Sequence, residues 1–117
     1  MIIAVLPSNQ QTTSATPLVM DVLKVKEDST GILDLYVLAR SSDGIRAGWR
    51  VIRSLARDSG NASFVGAGLA VIADKQSGAA TWTAVIGLSV STLQLTVSGA
   101  ADKTITWAVM GNFFVDY

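Results

Sequence analysis

Four arginines, Arg46, Arg50, Arg53 and Arg57, form the densest group of like functional side chains in the chain. On a helix their spacings of four, three and four would align them as one basic stripe opposite Trp49, Ile52 and Leu55. On a strand, Ile45, Ala47, Trp49 and Val51 alternate with Arg46, Gly48 and Arg50, and the phase slips near Ile52 as at a β-bulge. Gly48 disfavours the helix, so two strands meeting at a bulge are expected. Planar guanidinium groups bind carboxylates through paired hydrogen bonds, and the cluster therefore points to docking against an acidic partner surface. The plainer alternative is a solvated face whose arginine stems cover apolar surface. Nucleic acid fits less well, because no exposed aromatic residues interleave with the basic ones for stacking.

The chain's 117 residues include no His and no Cys. The commonest general base, the thiolate nucleophile and the commonest soft metal ligands are thus missing together. Carboxylates remain, but Glu27 and Asp28 are adjacent in a turn and would point apart. Asp21 and Asp34, expected within strands, are explained by structural partners such as Arg40 or a nearby Lys rather than by the facing pair a glycosidase needs. Asp43, Asp58, Asp74 and Asp102 sit singly in turns and lack calcium-loop spacing. Gly66-Ala67-Gly68 lacks the third glycine of a dinucleotide fingerprint, and Asn61-Ala62-Ser63 reads as a turn rather than a glycosylation site. No enzymatic activity, cofactor or metal is expected.

Nine basic and nine acidic residues cancel, so neither nucleic acid nor an anionic membrane is an expected partner. Hydrophobic residues make up 50% of the chain and charged residues only 15%. In a small domain with much surface, that ratio implies apolar area covered by other chains. Trp49, Trp82 and Trp107 are read as core or subunit-interface anchors, and the Phe113-Phe114 strand as a further contact.

The elements that position these groups centre on Ala79 to Met110. There Trp82 to Leu88, Leu93 to Val97 and Ile105 to Val109 are apolar runs separated by Ser, Thr, Gly and Asp, with period-two alternation in the last two. Earlier, Met1 to Leu6 is a short apolar run ending at Pro7, read with the polar segment to Pro17 as an N-terminal strand or an arm, residues 1–17. Its core lacks the preceding basic residues of a signal peptide and is too short to span a membrane. Leu18 to Glu27 places Val19, Leu23 and Val25 on one face with Asp21 as an exception. Glu27 to Gly31 is a turn, and Ile32 to Arg40 returns as a hairpin partner with Leu33, Leu35, Val37 and Ala39 in phase. Ser41 to Gly44 and Asp58 to Asn61 are further turns, Ser63 to Ala73 a strand with a bulge or close approach at Gly66 and Gly68, and Gly111-Asn112 a tight turn before a last strand. Residues 18–117 are expected to form one all-β domain, an antiparallel β-sandwich or jelly roll of about eight strands.

The runs Tyr36-Val37-Leu38-Ala39-Arg40, Asp43-Gly44, Ala47-Gly48-Trp49 and Phe64-Val65-Gly66, followed by Trp82, Leu93 to Val97 and Gly99-Ala100-Ala101-Asp102-Lys103-Thr104-Ile105-Thr106-Trp107, resemble a β module of tailed-bacteriophage virion proteins. The resemblance covers roughly Leu33 to Val109 and implies a structural protein of the virion, made in the host cytoplasm. With only about thirty residues ahead of the match, the chain is similar in scale to capsid decoration, or cement, proteins. These are small β-rich oligomers that clamp neighbouring subunits on the outside of the head. The expected partners are then further copies of the chain, as a trimer, and the major capsid protein or another virion protein. Arg46, Trp49, Arg50, Arg53, Arg57, Phe113 and Phe114 are the expected contact residues. A tail-fibre or baseplate component that binds a host receptor is the alternative.

Overall fold

The computed structural model describes residues 1–68 and 70–117, apart from the Leu6 side chain. Among these residues the chain forms nine strands: β1 (Ile2–Thr12), β2 (Leu18–Lys24), β3 (Ser29–Ser41), β4 (Arg46–Arg57), β5 (Ser63–Phe64), β6 (Ala70–Lys75), β7 (Thr83–Ser89), β8 (Thr92–Ser98) and β9 (Ile105–Val115). One 3-10 turn, Ser77–Ala79, precedes β7. The larger sheet runs β1-β9-β3-β4, with β5 and β6 pairing successive stretches of the far edge of β4; the smaller runs β2-β8-β7. All pairings are antiparallel, and the two sheets form a β-sandwich.

The sandwich closes because alternate residues of β3, β9 and β8 are apolar. Leu33, Leu35, Val37 and Ala39 of β3, and Leu93, Leu95 and Val97 of β8, are all buried. Ile105, Trp107, Val109 and Phe113 of β9, the strand beside β3, join the same core. Trp107 stacks on Trp49 of β4 with centroids 5.7 Å apart, and Trp82 tilts against Trp107 at 6.3 Å. Three indoles remote in sequence thus form the centre of the core, the arrangement aromatic quadrupoles favour.

Several local expectations are corrected. The segment 45–58 is not two strands with a bulge: β4 pairs with β3 in unbroken register from Arg46 opposite Arg40 to Arg57 opposite Ser29. The apparent slip arises because Arg53 occupies an inward position. Its stem lies beside Phe64, where the cation sits 4.4 Å over the ring, and Nη2 donates to the Gly66 carbonyl at 2.9 Å. Long amphipathic side chains tolerate such positions at a sandwich margin.

β2 and β3 do not form a hairpin. β2 belongs to the smaller sheet and β3 to the larger, so the 25–28 connection passes between sheets. In β2 the irregularity between Asp21 and Leu23 resets the phase. Leu18, Met20 and Leu23 oppose the buried Val97, Leu95 and Leu93, whereas Val19 and Asp21 point outward. Val19 is therefore exposed and not a core residue.

Gly111-Asn112 is no turn, since β9 continues through both to Val115. A methyl group at Gly111 would come within 2.9 Å of Leu35 Cα, and closer still to the Asp34 carbonyl oxygen. Glycine here lets β9 press against β3. The expected strand from Ser63 to Ala73 is divided into β5 and β6, and its Leu69 lies outside the described residues. Gly66 adopts φ +65°, and a methyl group added to it would meet nothing within 4 Å, so it marks the break rather than a close approach.

β1 runs past Pro7 to Thr12 and pairs with β9 of its own chain. Pro7 is accommodated by an irregularity between Val5 and Ser8, as expected of an edge strand. Trp107 Nε1 donates to Thr12 Oγ1 at 2.9 Å and ties the polar half of β1 to the core.

Candidate functional site

The outward face of the large sheet carries six of the exposed large hydrophobic residues, Ile2, Ile32, Tyr36, Leu38, Ile72 and Phe114. Register places them in cross-strand rows. At one end lie Gln11, Thr106, Arg40 and Arg46; next come Asn9, Ala108, Leu38, Gly48 and Asp74; then Met110, Tyr36, Arg50 and Ile72. Beyond them are Ala4, Asn112, Asp34 and Ile52, and finally Ile2, Phe114 and Ile32. An antiparallel sheet with one solvated face ordinarily alternates apolar inside with polar outside. Here about half of the outer-face positions are apolar or aromatic instead. Ile2 is 64% exposed, Ile72 62%, Leu38 51%, Ile32 49% and Phe114 44%.

Small residues make this face concave. Ala108 and Gly48 flank Leu38, and the neighbouring rows rise around them as Tyr36, Arg50 and Ile72 on one side and Thr106, Arg40 and Arg46 on the other. The result is an open depression of about 770 Å³. Gln76 closes its corner: the Arg46 N–H donates to Gln76 Oε1 at 2.9 Å, and the Gln76 N–H to the Arg46 carbonyl at 3.1 Å.

The charges on this face differ in how they are compensated. Arg50 donates from Nε and a terminal nitrogen to both Asp34 carboxylate oxygens, at 3.0 and 3.1 Å, and lies over the Tyr36 ring. That hydrogen-bonded cation holds the Asp34 carboxyl below its ordinary value, and the same bond raises Arg50. Arg40 and Arg46 face one another directly across the β3–β4 ladder. Among the described residues neither guanidinium forms a hydrogen bond or an ion pair. Asp74 also lines the depression and has no ion-pair partner there.

Of the contact residues expected from sequence, the structure brings Arg46, Arg50 and Phe114 together on this face. Arg53 and Arg57 share neither a stripe nor a face with them. Arg57 Nη1 donates to the Val25 carbonyl at 3.0 Å, Nε to the Gly60 carbonyl at 2.6 Å, and Nη2 pairs with Glu27 at 3.4 Å, which fastens the 25–28 crossover. Trp49 and Phe113 are buried in the core. Asp34 is paired, but with Arg50 rather than Arg40, and Asp21 accepts from Gln94 Nε2 at 2.9 Å on the opposite side of the sandwich. The two acids therefore do not face each other across a groove.

Sequence reasoning did not name Tyr36, Leu38, Ile32, Ile72 or Arg40 as contact residues. The signal was available in β3, where Ile32, Tyr36 and Leu38 form a second apolar set at the positions alternating with the core set.

The turns around Ser42 and Lys103 also meet. Lys103 Nζ lies 2.5 Å from Asp43 Oδ2, and the Ser42 N–H donates to the Thr104 carbonyl at 2.9 Å. These contacts pin the β3–β4 turn to the β8–β9 turn. No protein-family model matches the chain, and no curated protein matches it either.

Proposed function

We propose that this chain is a structural protein of a bacteriophage particle, and specifically a capsid decoration protein that binds the outside of the head and stabilises the shell. The observation that carries this reading is the set of exposed large apolar residues, Ile2, Ile32, Tyr36, Leu38, Ile72 and Phe114, on the outer face of the large sheet. An exposed apolar area of this kind on a small domain marks a protein–protein surface. A protein that binds an assembled shell but not its separate subunits stabilises the shell by mass action, through the logarithm of its occupancy. The chain needs no reactive group for that task.

Further copies of the chain are proposed partners because the sheet edges are unequal. β1 is blunted by Pro7 and its irregularity, and β2 by its own irregularity with Asp21 and Lys24. β7 carries no charge at all, and β6 carries charges only at its end, in Asp74 and Lys75. An unblunted edge is a template for pairing with another strand.

A tail-fibre or baseplate component that binds a host receptor is the second reading, favoured by the depression, whose apolar floor and polar lip suit recognition of a small epitope. Electron cryomicroscopy of purified particles tests both. Density on the head shell, with particles that withstand more heat when the protein is present, supports decoration. Density at the tail supports the second reading, and absence from particles overturns both.

A further inference from the structure

We infer that the depression between Tyr36 and Arg46 is a seat for a single acidic side chain of a protein partner, with its carboxylate held by Arg40 and Arg46 and an adjoining apolar side chain on the floor made by Leu38, Gly48 and Ala108. This deepens the preceding proposal and rests on its reading of the outer sheet face as the surface that meets a partner. Like charges directly opposite on antiparallel strands repel. Arg40 and Arg46 nonetheless occupy one such position and, among the described residues, have no acid to relieve them. A carboxylate between them would remove the repulsion and gain charge-assisted hydrogen bonds from both.

Charge arithmetic selects the occupant. Arg50 is cancelled by Asp34, and Asp74, on the strand beside Gly48, forms no ion pair with Arg40 or Arg46 but reduces the net charge around the depression. One positive charge is left over, which matches one carboxylate and opposes the repeated phosphates of a nucleic acid. The apolar floor points the same way, since it offers nothing to a phosphate but contact area to a hydrophobic residue flanking the acid. Gly48 and Ala108 keep the floor low, and a methyl group at Gly48 would already touch Leu38 Cδ2 at 3.3 Å.

The test is a titration of the full ¹⁵N-labelled chain with N-acetyl-Phe-Glu-Phe-amide, followed by amide shifts. Shifts centred on Leu38, Gly48, Thr106 and Ala108 are expected, with binding about tenfold weaker for the Phe-Gln-Phe counterpart and for an Arg40→Gln/Arg46→Gln variant whose remaining spectrum is unchanged. Equal binding of the Gln peptide, shifts mapping elsewhere, no binding, or full reproduction of the shifts by sodium phosphate would each overturn the inference. Peptide binding without binding to particles overturns the virion reading alone. Particle binding unaffected by the double Arg variant overturns the carboxylate seat alone.

Discussion

Trp107 Nε1 donates a buried hydrogen bond to Thr12 Oγ1 at 2.9 Å, across the pairing of β9 with the edge strand β1. The neighbouring Trp82 is equally buried, yet its Nε1 has no partner among the described residues. One indole of the core thus anchors an edge strand and the other contributes packing alone.

Replacing Thr12 by Val keeps the side-chain volume and removes the acceptor. Leaving a buried N–H unpaired costs about 1–3 kcal/mol. Urea unfolding should show that loss for Thr12→Val and recover most of the stability in Thr12→Ser. Equal stability of Thr12→Val and the parent would mean that this bond does not hold β1.

Gly111→Ala should be among the most damaging single-methyl changes in the chain. The added carbon would overlap the β3 backbone at Asp34 and Leu35, which cannot move without displacing the centre of the sheet. Overpacking typically costs about 1–3 kcal/mol, and overlap with backbone places this change at the upper end of that range. Gly87→Ala on β7 is the control: nothing lies within 4 Å of its added carbon, and its midpoint should stay within about 0.5 kcal/mol of the parent.

Val90 holds φ +56° in the two-residue turn joining β7 to β8, where a β-branched side chain is disfavoured. The turn keeps that conformation because its carbonyls accept from Ala62 and Val25, each at 2.8 Å. Val90→Asn retains those bonds and relieves the side-chain clash, so thermal unfolding should report a gain of about 1 kcal/mol. A loss would show that Val90 contributes contacts outweighing its backbone strain.

Stability should fall on acidification. Asp34, lowered by its hydrogen bonds from Arg50, and Asp43, lowered by those from Lys103 and Ser41, both titrate below the ordinary value of 3.8 when folded. Their contribution is complete above the unfolded value and is lost as pH falls through the folded ones. Unfolding free energy should therefore be level from neutral pH to about 5 and decline below about 4. Asp34→Asn should lower stability at pH 7 by about 0.5 kcal/mol, as a partly exposed pair does, and flatten the acid decline. An unchanged slope in that variant would show that the Asp34–Arg50 pair is not coupled to folding.

The sequence alone determined the all-β class and its inward face. Leu33 to Ala39, Leu93 to Val97 and Ile105 to Val109 alternate strictly, and period two can be buried only as strand. It also located the turns, expected at 41–44 and 58–61, because Asp-Gly and Gly-Asn accept conformations other residues resist. Only the tertiary structure decided which strand lies beside which. β2 and β3 share a convincing turn yet enter different sheets, since a turn sets a change of direction and not a hydrogen-bond partner. Tertiary contacts likewise divided the four arginines. Arg46 and Arg50 stay on the outer face, while Arg53 and Arg57 take inward positions because Phe64, Gly66, Val25 and Gly60, distant in the chain or across a turn, supply a ring and carbonyls for their guanidinium groups. The facing of Arg40 by Arg46 follows from register, which depends on how two whole strands align and is invisible in either strand alone.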